Sequence, residues 1–275
     1  MKSVAIFWRE GEIPWLNLFG EGMRRNGYSV NFIDPNDFAG QECDIAIVSG
    51  GLRRYKSYNY VIMHYYRSKH IPVFIIEHGR LVPQEIIRGY WLHYVGEVPM
   101  LPRLSDDMTH DRREKLGLVT NFKERGDAVL VVGQELGKDK TLGIHVMERL
   151  REYTDRKIIY RPRRTEGEDK HCCDLADEVS RDAINPWKDL NRAWCVITTW
   201  SNMGGEALMQ GIPVIASPMA SYSEYCQSDL GGIDNMKPPL KSAIEEYLMR
   251  YSYLLWSNEE MKLGKGATWM MEHEL

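Results

Sequence analysis

The sequence predicts an α/β protein built as two Rossmann-like domains, on three observations. Short apolar, β-branched runs alternate with stretches of helical periodicity from residue 3 to about residue 216. Two of those runs, 71–76 (IPVFII) and 127–132 (DAVLVV), are almost continuously apolar, as parallel strands covered on both faces are. Residues 194–218, WCVITTWSNMGGEALMQGIPVIASP, hold a strand, a glycine-bearing turn, a helix and a second strand in one span, which is a βαβ unit.

Length and composition allow this. A chain of 275 residues with 43% hydrophobic content fills two modest cores. No apolar run approaches the ~20 residues that cross a bilayer, and the start MKSVAIFWREGE lacks the apolar region of a signal peptide. The expectation is therefore a cytoplasmic protein with no membrane partner. Five cysteines, an odd number, do not make a disulfide framework and are expected to be reduced thiols. A net charge of −4 argues against a general nucleic-acid binder, while the slightly basic first half leaves room for a local anionic partner.

Taken in order, residues 3–8 form the opening strand, 9–14 a loop with Gly11 and Glu12, and Trp15, Leu16, Phe19 and Met23 mark the first helix, which Gly27 ends. A strand over 28–33, a turn at Asp34–Asp37 and a strand over 44–48 follow. Then come Arg53, Arg54, Tyr55, Lys56, Tyr58 and Tyr60, and after them His64, Tyr65, Tyr66, Arg67, Lys69 and His70. Cations interleaved with aromatic rings suit a nucleic acid or a sugar. The same segment also fits a helix over 58–66 that buries Val61, Ile62 and Tyr65. The strand at 71–76 runs into Glu77, His78, Gly79 and Arg80, polar groups at the carboxyl end of a buried strand. Glu77 or His78 is a candidate to take a proton from a hydroxyl and Arg80 to stabilise anionic charge, although Glu77 and Arg80 also suit a mutual ion pair.

Residues 84–119 read as irregular loop and short helix. The polar stretch 121–126 is expected to end a first domain, 1–120; a second covers 121–236, and 237–275 follows as a C-terminal segment. In the second domain a helix is expected over about 142–153 and a strand over 157–160, followed by Arg161, Arg163 and Arg164 around Pro162. Three guanidinium groups at the end of a parallel strand are costly to hold together without an anion, unless Glu166, Glu168 and Asp169 balance them. His171, Cys172 and Cys173 lack the second ligand pair that a zinc site draws on, so no metal is expected. Trp187 is placed near the turn at 199–205, either stacking or packed. Pro238 and Pro239 introduce a helix over 240–255, apolar at Ile244, Tyr247, Leu248, Tyr251 and Leu254, and the tail from Asn258 reads as polar and mixed.

In the βαβ unit, Ser201 and Asn202 are placed to cap the helix, and Gly204 and Gly205 remove side chains where backbone N–H groups are expected to face a phosphate. Glu206 beside such a site suits a partner that donates hydrogen bonds, as a ribose diol does. Ser201, Gly205, Glu206, Ala207, Leu208, Gly211, Pro213, Val214 and Ile215 together resemble the donor signature of GT-B glycosyltransferases. That resemblance implies two Rossmann-like domains facing a cleft, a C-terminal helix crossing back, and a nucleotide-sugar co-substrate, expected to be a UDP-sugar, in place of a cofactor. It adds Gly133, Gln134 and Lys140 as candidates for the donor phosphates, beside Arg161, Arg163 and Arg164, which resemble the basic segment of several bacterial GT-B families. It implies metal-independent transfer to an acceptor hydroxyl handled by the first domain. The basic and aromatic first half resembles phage DNA-modifying glucosyltransferases, whose acceptor is a hydroxymethylated base in double-stranded DNA and whose place would be the host cytoplasm. A surface-polysaccharide transferase and a nucleotide-sugar epimerase of the same fold stand beside it.

Overall fold

The computed structural model describes residues 1–8, 14–49, 58–77, 90–95, 98–133, 141–162, 170–181, 185–218 and 220–273. The chain divides into two compact units, Met1–Leu116 with Arg250–Leu275, and Gly117–Met249. Residues 237–249, which the sequence reading gives to the C-terminal segment, group with the second unit.

The first unit begins with β1 (Ser3–Phe7), α1 (Pro14–Arg25), β2 (Ser29–Ile33), β3 (Ile45–Ser49), α2 (Tyr58–Ser68), β4 (Val73–Glu77), β5 (Tyr90–Val95), β6 (Val98–Met100) and α3 (His110–Lys115). Its sheet has the order β2-β1-β3-β4-β5-β6, parallel through β4. Gly27, at φ +81°, ends α1 in a Schellman motif: its N–H donates to Arg24 O and that of Tyr28 to Met23 O.

Two expectations for this unit are corrected. The segment expected as loop from residue 84 contains β5 and β6, which pair antiparallel as a hairpin on the edge of the sheet. Helix α2 forms, but it buries Ile62, Met63 and Tyr66 rather than Val61 and Tyr65; Val61 is 53% exposed. Tyr65 and Tyr66 serve packing, whereas Tyr58 is exposed. Tyr66 donates to Gln41 O at 2.7 Å, Tyr65 to Gly40 O at 3.3 Å, and Lys69 Nζ donates to the Tyr65 hydroxyl at 2.6 Å. Gly11, Glu12, Arg53, Arg54, Tyr55 and Lys56 lie outside the described residues.

The second unit carries β7 (Ala128–Val132), α4 (Thr141–Leu150), β8 (Ile158–Arg161), α5 (Lys170–Leu175), β9 (Glu178–Val179), α6 (Pro186–Leu190), β10 (Ala193–Thr198), α7 (Asn202–Met209) and β11 (Val214–Ala216), then α8 (Lys241–Ser252), within which the division between units falls. Its sheet is parallel throughout, in the order β11-β10-β7-β8-β9. Counted from β7, that is the 3-2-1-4-5 order of a Rossmann half. All five residues of β7 are buried, and at about 1.5–3 kcal/mol for each large apolar side chain this strand anchors the core.

The predicted apolar positions of α8, Ile244, Tyr247, Leu248, Tyr251 and Leu254, are all buried. The tail read as polar and mixed is instead α9 (Asn258–Lys262) and α10 (Lys265–His273), which pack on α1 in the first unit. Gly22 makes that approach possible, since a Cβ there would strike the Gly264 backbone, and Asn26 Nδ2 donates to Gly264 O at 3.0 Å. Among the described residues no helix is long and apolar enough to cross a membrane.

Candidate functional site

In an open parallel sheet the crevice for a ligand lies beyond the carboxyl ends of the strands where the strand order reverses. In the second unit that point falls between β7 and β10. Their last residues stand level: Thr198 pairs with Val132, and Val132 with Arg161 at the end of β8. Of the predicted donor residues, Gly133 follows β7 directly, Ser201 follows β10 after two intervening residues, and Arg161 ends the third of these strands.

Ser201 is the N-cap of α7. Its hydroxyl accepts from Met203 N–H at 3.4 Å, its own N–H donates to Thr198 Oγ1 at 3.2 Å, and its carbonyl accepts from Gly204 N–H at 2.9 Å. The predicted cap is thus present, but the expected reason for Gly204 is corrected. Gly204 and Gly205 are buried, and a Cβ at Gly204 would overlap the ring and hydroxyl of Tyr222, which itself donates to Ser201 O. Gly204 is small to admit that ring, rather than to leave an amide uncovered. Ser201, Asn202 and Glu206 are the half-buried residues at this end of the helix. At the other end Gly211, at φ +76°, closes α7, with Gly211 N–H on Leu208 O and Ile212 N–H on Ala207 O.

Gly133 has a similar packing reason: its N–H donates to Arg161 O at 2.9 Å, and the Tyr160 hydroxyl fills the place of its missing side chain. Arg161 turns inward to an ion pair with Asp189 on α6, an aspartate only 4% exposed, and Ser180 Oγ bonds both, at 3.3 Å to Arg161 Nη1 and 2.6 Å to Asp189 Oδ2. Sequence reasoning missed Asp189 and Ser180, because their partner lies far upstream and nothing local in PWKDL marks an aspartate for burial. Gln134, Lys140, Arg163 and Arg164 lie outside the described residues.

Burial, then the neighbouring Cys226 and Glu206, raises the Tyr222 hydroxyl well above its ordinary pKa, so it stays a neutral donor. Burial likewise pushes the Cys195 and Cys226 thiols up to about 12. None of the five cysteines is in a disulfide. Among the described residues no group of three His, Cys, Asp or Glu side chains is arranged to hold a metal ion; His171 bonds Glu148 at 3.0 Å. In the first unit, Glu77 is the last residue of β4, paired with Tyr90 of β5. His78 and Arg80 lie outside the described residues.

No protein-family model matches the chain, and no sequence among curated proteins matches it significantly. Solved structures do. The chain superimposes on Thermosulfurimonas dismutans KpsC, beta Kdo 2,7 transferase, with a TM-score of 0.58, at 13% identity over 98% of this chain and 99% of that one. The KpsC beta Kdo 2,4 transferase of the same organism gives 0.53, at 17% identity over 92% and 90%. The fold is GT-B. The GT-B likeness covers both units, and at these identities it is a likeness of fold, which leaves donor and acceptor to the chemistry of this chain's own residues.

Proposed function

We propose that the chain is a glycosyltransferase that moves a sugar from a nucleotide-sugar donor to an acceptor hydroxyl. The observation that carries the reading is that a serine-capped helix start with half-buried Glu206 follows β10, while Arg161 ends β8 level with the last residues of β7 and β10, on either side of the reversal point of the second sheet. A helix start attracts phosphate, a guanidinium group binds it, and a carboxylate in the first turns of that helix suits a ribose diol. In this reading Ser201 and Asn202 face the phosphate, buried Gly204 and Gly205 set the packing of the helix start behind them, Glu206 accepts from the ribose, and Gly133, Gln134, Lys140, Arg161, Arg163 and Arg164 flank the donor. Glu77 or His78 takes the acceptor proton as its oxygen bonds the anomeric carbon. The bond from that carbon to the phosphate oxygen breaks, and the leaving group departs with the electron pair, stabilised by amides and cations, Arg80 among them, rather than by a metal.

A saccharide hydroxyl is the acceptor we favour, because the two superimposable structures are named as Kdo transferases. An acidic sugar donor therefore stands beside a UDP-sugar as the first to test, in a protein working in the cytoplasm. Duplex DNA is the second reading, favoured by the exposed cation Lys69 after α2, and weakened by the packing roles of Tyr65 and Tyr66. The test is incubation with UDP- and CMP-activated sugars and either oligosaccharides or duplex DNA carrying hydroxymethylated bases, read by mass. A sugar gained by an acceptor supports transfer, a donor converted to its epimer indicates an epimerase, and no donor consumed refutes both.

A further inference from the structure

The geometry points to Asp189 and Ser180 as positioning residues that hold Arg161 with one edge of its guanidinium group turned to a donor phosphate. This rests on the nucleotide-sugar reading above. Arg161 ends β8 beside the strand-order reversal, where Val132 is its partner in register. Both hydrogen bonds that its side chain donates among the described residues leave from Nη1, to Asp189 Oδ2 and Ser180 Oγ. Asp189 Oδ2 in turn accepts from the Ser180 hydroxyl at 2.6 Å, so the carboxylate is held from two sides.

The burial of the three groups gives this arrangement its direction. The Asp189 side chain is 5% exposed and that of Arg161 12%, so the anchor is shielded while the cation keeps a path to solvent. An arginine fixed through Nη1 retains Nε and Nη2, the parallel pair that grips a phosphate with two hydrogen bonds. Asn185 Oδ1 accepts from Trp187 N–H at 3.1 Å and Pro186 opens α6, which sets the start of the helix that delivers Asp189. The carboxylate partly offsets the cation's charge, so what it contributes is orientation more than attraction.

A merely structural pair would tie α6 to β8 and affect every ligand alike. A positioning pair affects only the part of affinity that the phosphate supplies. The experiment is calorimetric titration of the wild-type protein, Asp189→Asn and Ser180→Ala with UDP and uridine, and with CMP and cytidine, each variant first checked for a cooperative melt. The wild type is expected to bind one nucleotide roughly tenfold or more tighter than its nucleoside. In Asp189→Asn that ratio is expected to fall roughly fivefold, and in Ser180→Ala roughly twofold to threefold, with nucleoside affinity unchanged. If Asp189→Asn does not fold, Ser180→Ala, which leaves the ion pair in place, decides. A wild type with no phosphate-dependent gain for either pair overturns the donor reading itself. A wild type with that gain, kept in full by the variants that fold, overturns only the role of Asp189 and Ser180.

Discussion

Tyr222 donates its hydroxyl to the carbonyl oxygen of Ser201, tying the segment after β11 to the first turn of α7. Because the same ring occupies the space a side chain at Gly204 would need, Gly204→Ala is an overpacking change. Overpacking costs about 1–3 kcal/mol, against about 1 kcal/mol that alanine gains over glycine inside a helix. The expected outcome is a net loss of stability in urea melts together with weaker nucleotide binding. Tyr222→Phe keeps the ring and removes one hydrogen bond, for a loss of about 1 kcal/mol. A Gly204→Ala protein as stable as wild type would contradict this packing.

Trp194, at the opposite end of β10 from the candidate site, separates stability from binding. Arg125 and Arg156 stand over its ring at 3.7 and 3.8 Å, and its indole N–H donates to Ile233 O at 2.8 Å. Trp194→Phe loses that hydrogen bond and weakens both cation contacts, for about 1–3 kcal/mol in all. Chemical denaturation should register that loss while nucleotide affinity stays at the wild-type value.

The buried thiols set the alkaline limit. Cys195 and Cys226 move from 9.0 to about 12 in the folded protein, so between those values the folded state holds protons that the unfolded state has lost. Their stabilising contribution is complete below pH 9 and declines as pH rises toward 12, by at most about 1.4 kcal/mol per pH unit for each thiol. Urea midpoints measured from pH 8 to pH 11 should fall, and a Cys195→Ala, Cys226→Ala protein, though weaker throughout, should give a shallower slope.

At the acid end the sign reverses. Hydrogen bonds from Arg192 and Lys157 lower Glu178 from 4.5 to about 2. Its contribution is therefore present above pH 4.5 and lost as pH falls through 2. The group lies at the surface, with 34% of its side chain exposed, so the effect is no more than about 1 kcal/mol. Glu178→Gln should flatten the acid limb of the stability curve between pH 5 and pH 2 and leave the alkaline limb as it is.

The parallel strands were legible because a strand buried on both faces must be apolar throughout, as Val73–Ile76 and Ala128–Val132 are. Gly27 and Gly211 were legible as helix ends because few other residues accept a positive φ. The β5–β6 hairpin was not, since Pro99 argues against a strand and is tolerated here only because β6 is an edge strand paired on one side. The capping box of Ser257 and Glu260 was present in the sequence before α9 and went unread amid polar neighbours. In α2 the adjacent Tyr65 and Tyr66 left the buried face ambiguous by one residue, and bonds to Gly40 and Gln41, distant in sequence, decide it. For the site, the cap at Ser201 is a local pattern, whereas the Asp189 anchor and the Tyr222 contact come from residues that only the folded sheet brings together.

Hydrogen–deuterium exchange with and without a bound nucleotide sugar tests the central claim most directly. The account predicts slower exchange of the amides at residues 199–206 and at Gly133 when donor is present. Binding that leaves those amides unchanged while protecting a different part of the chain would contradict it.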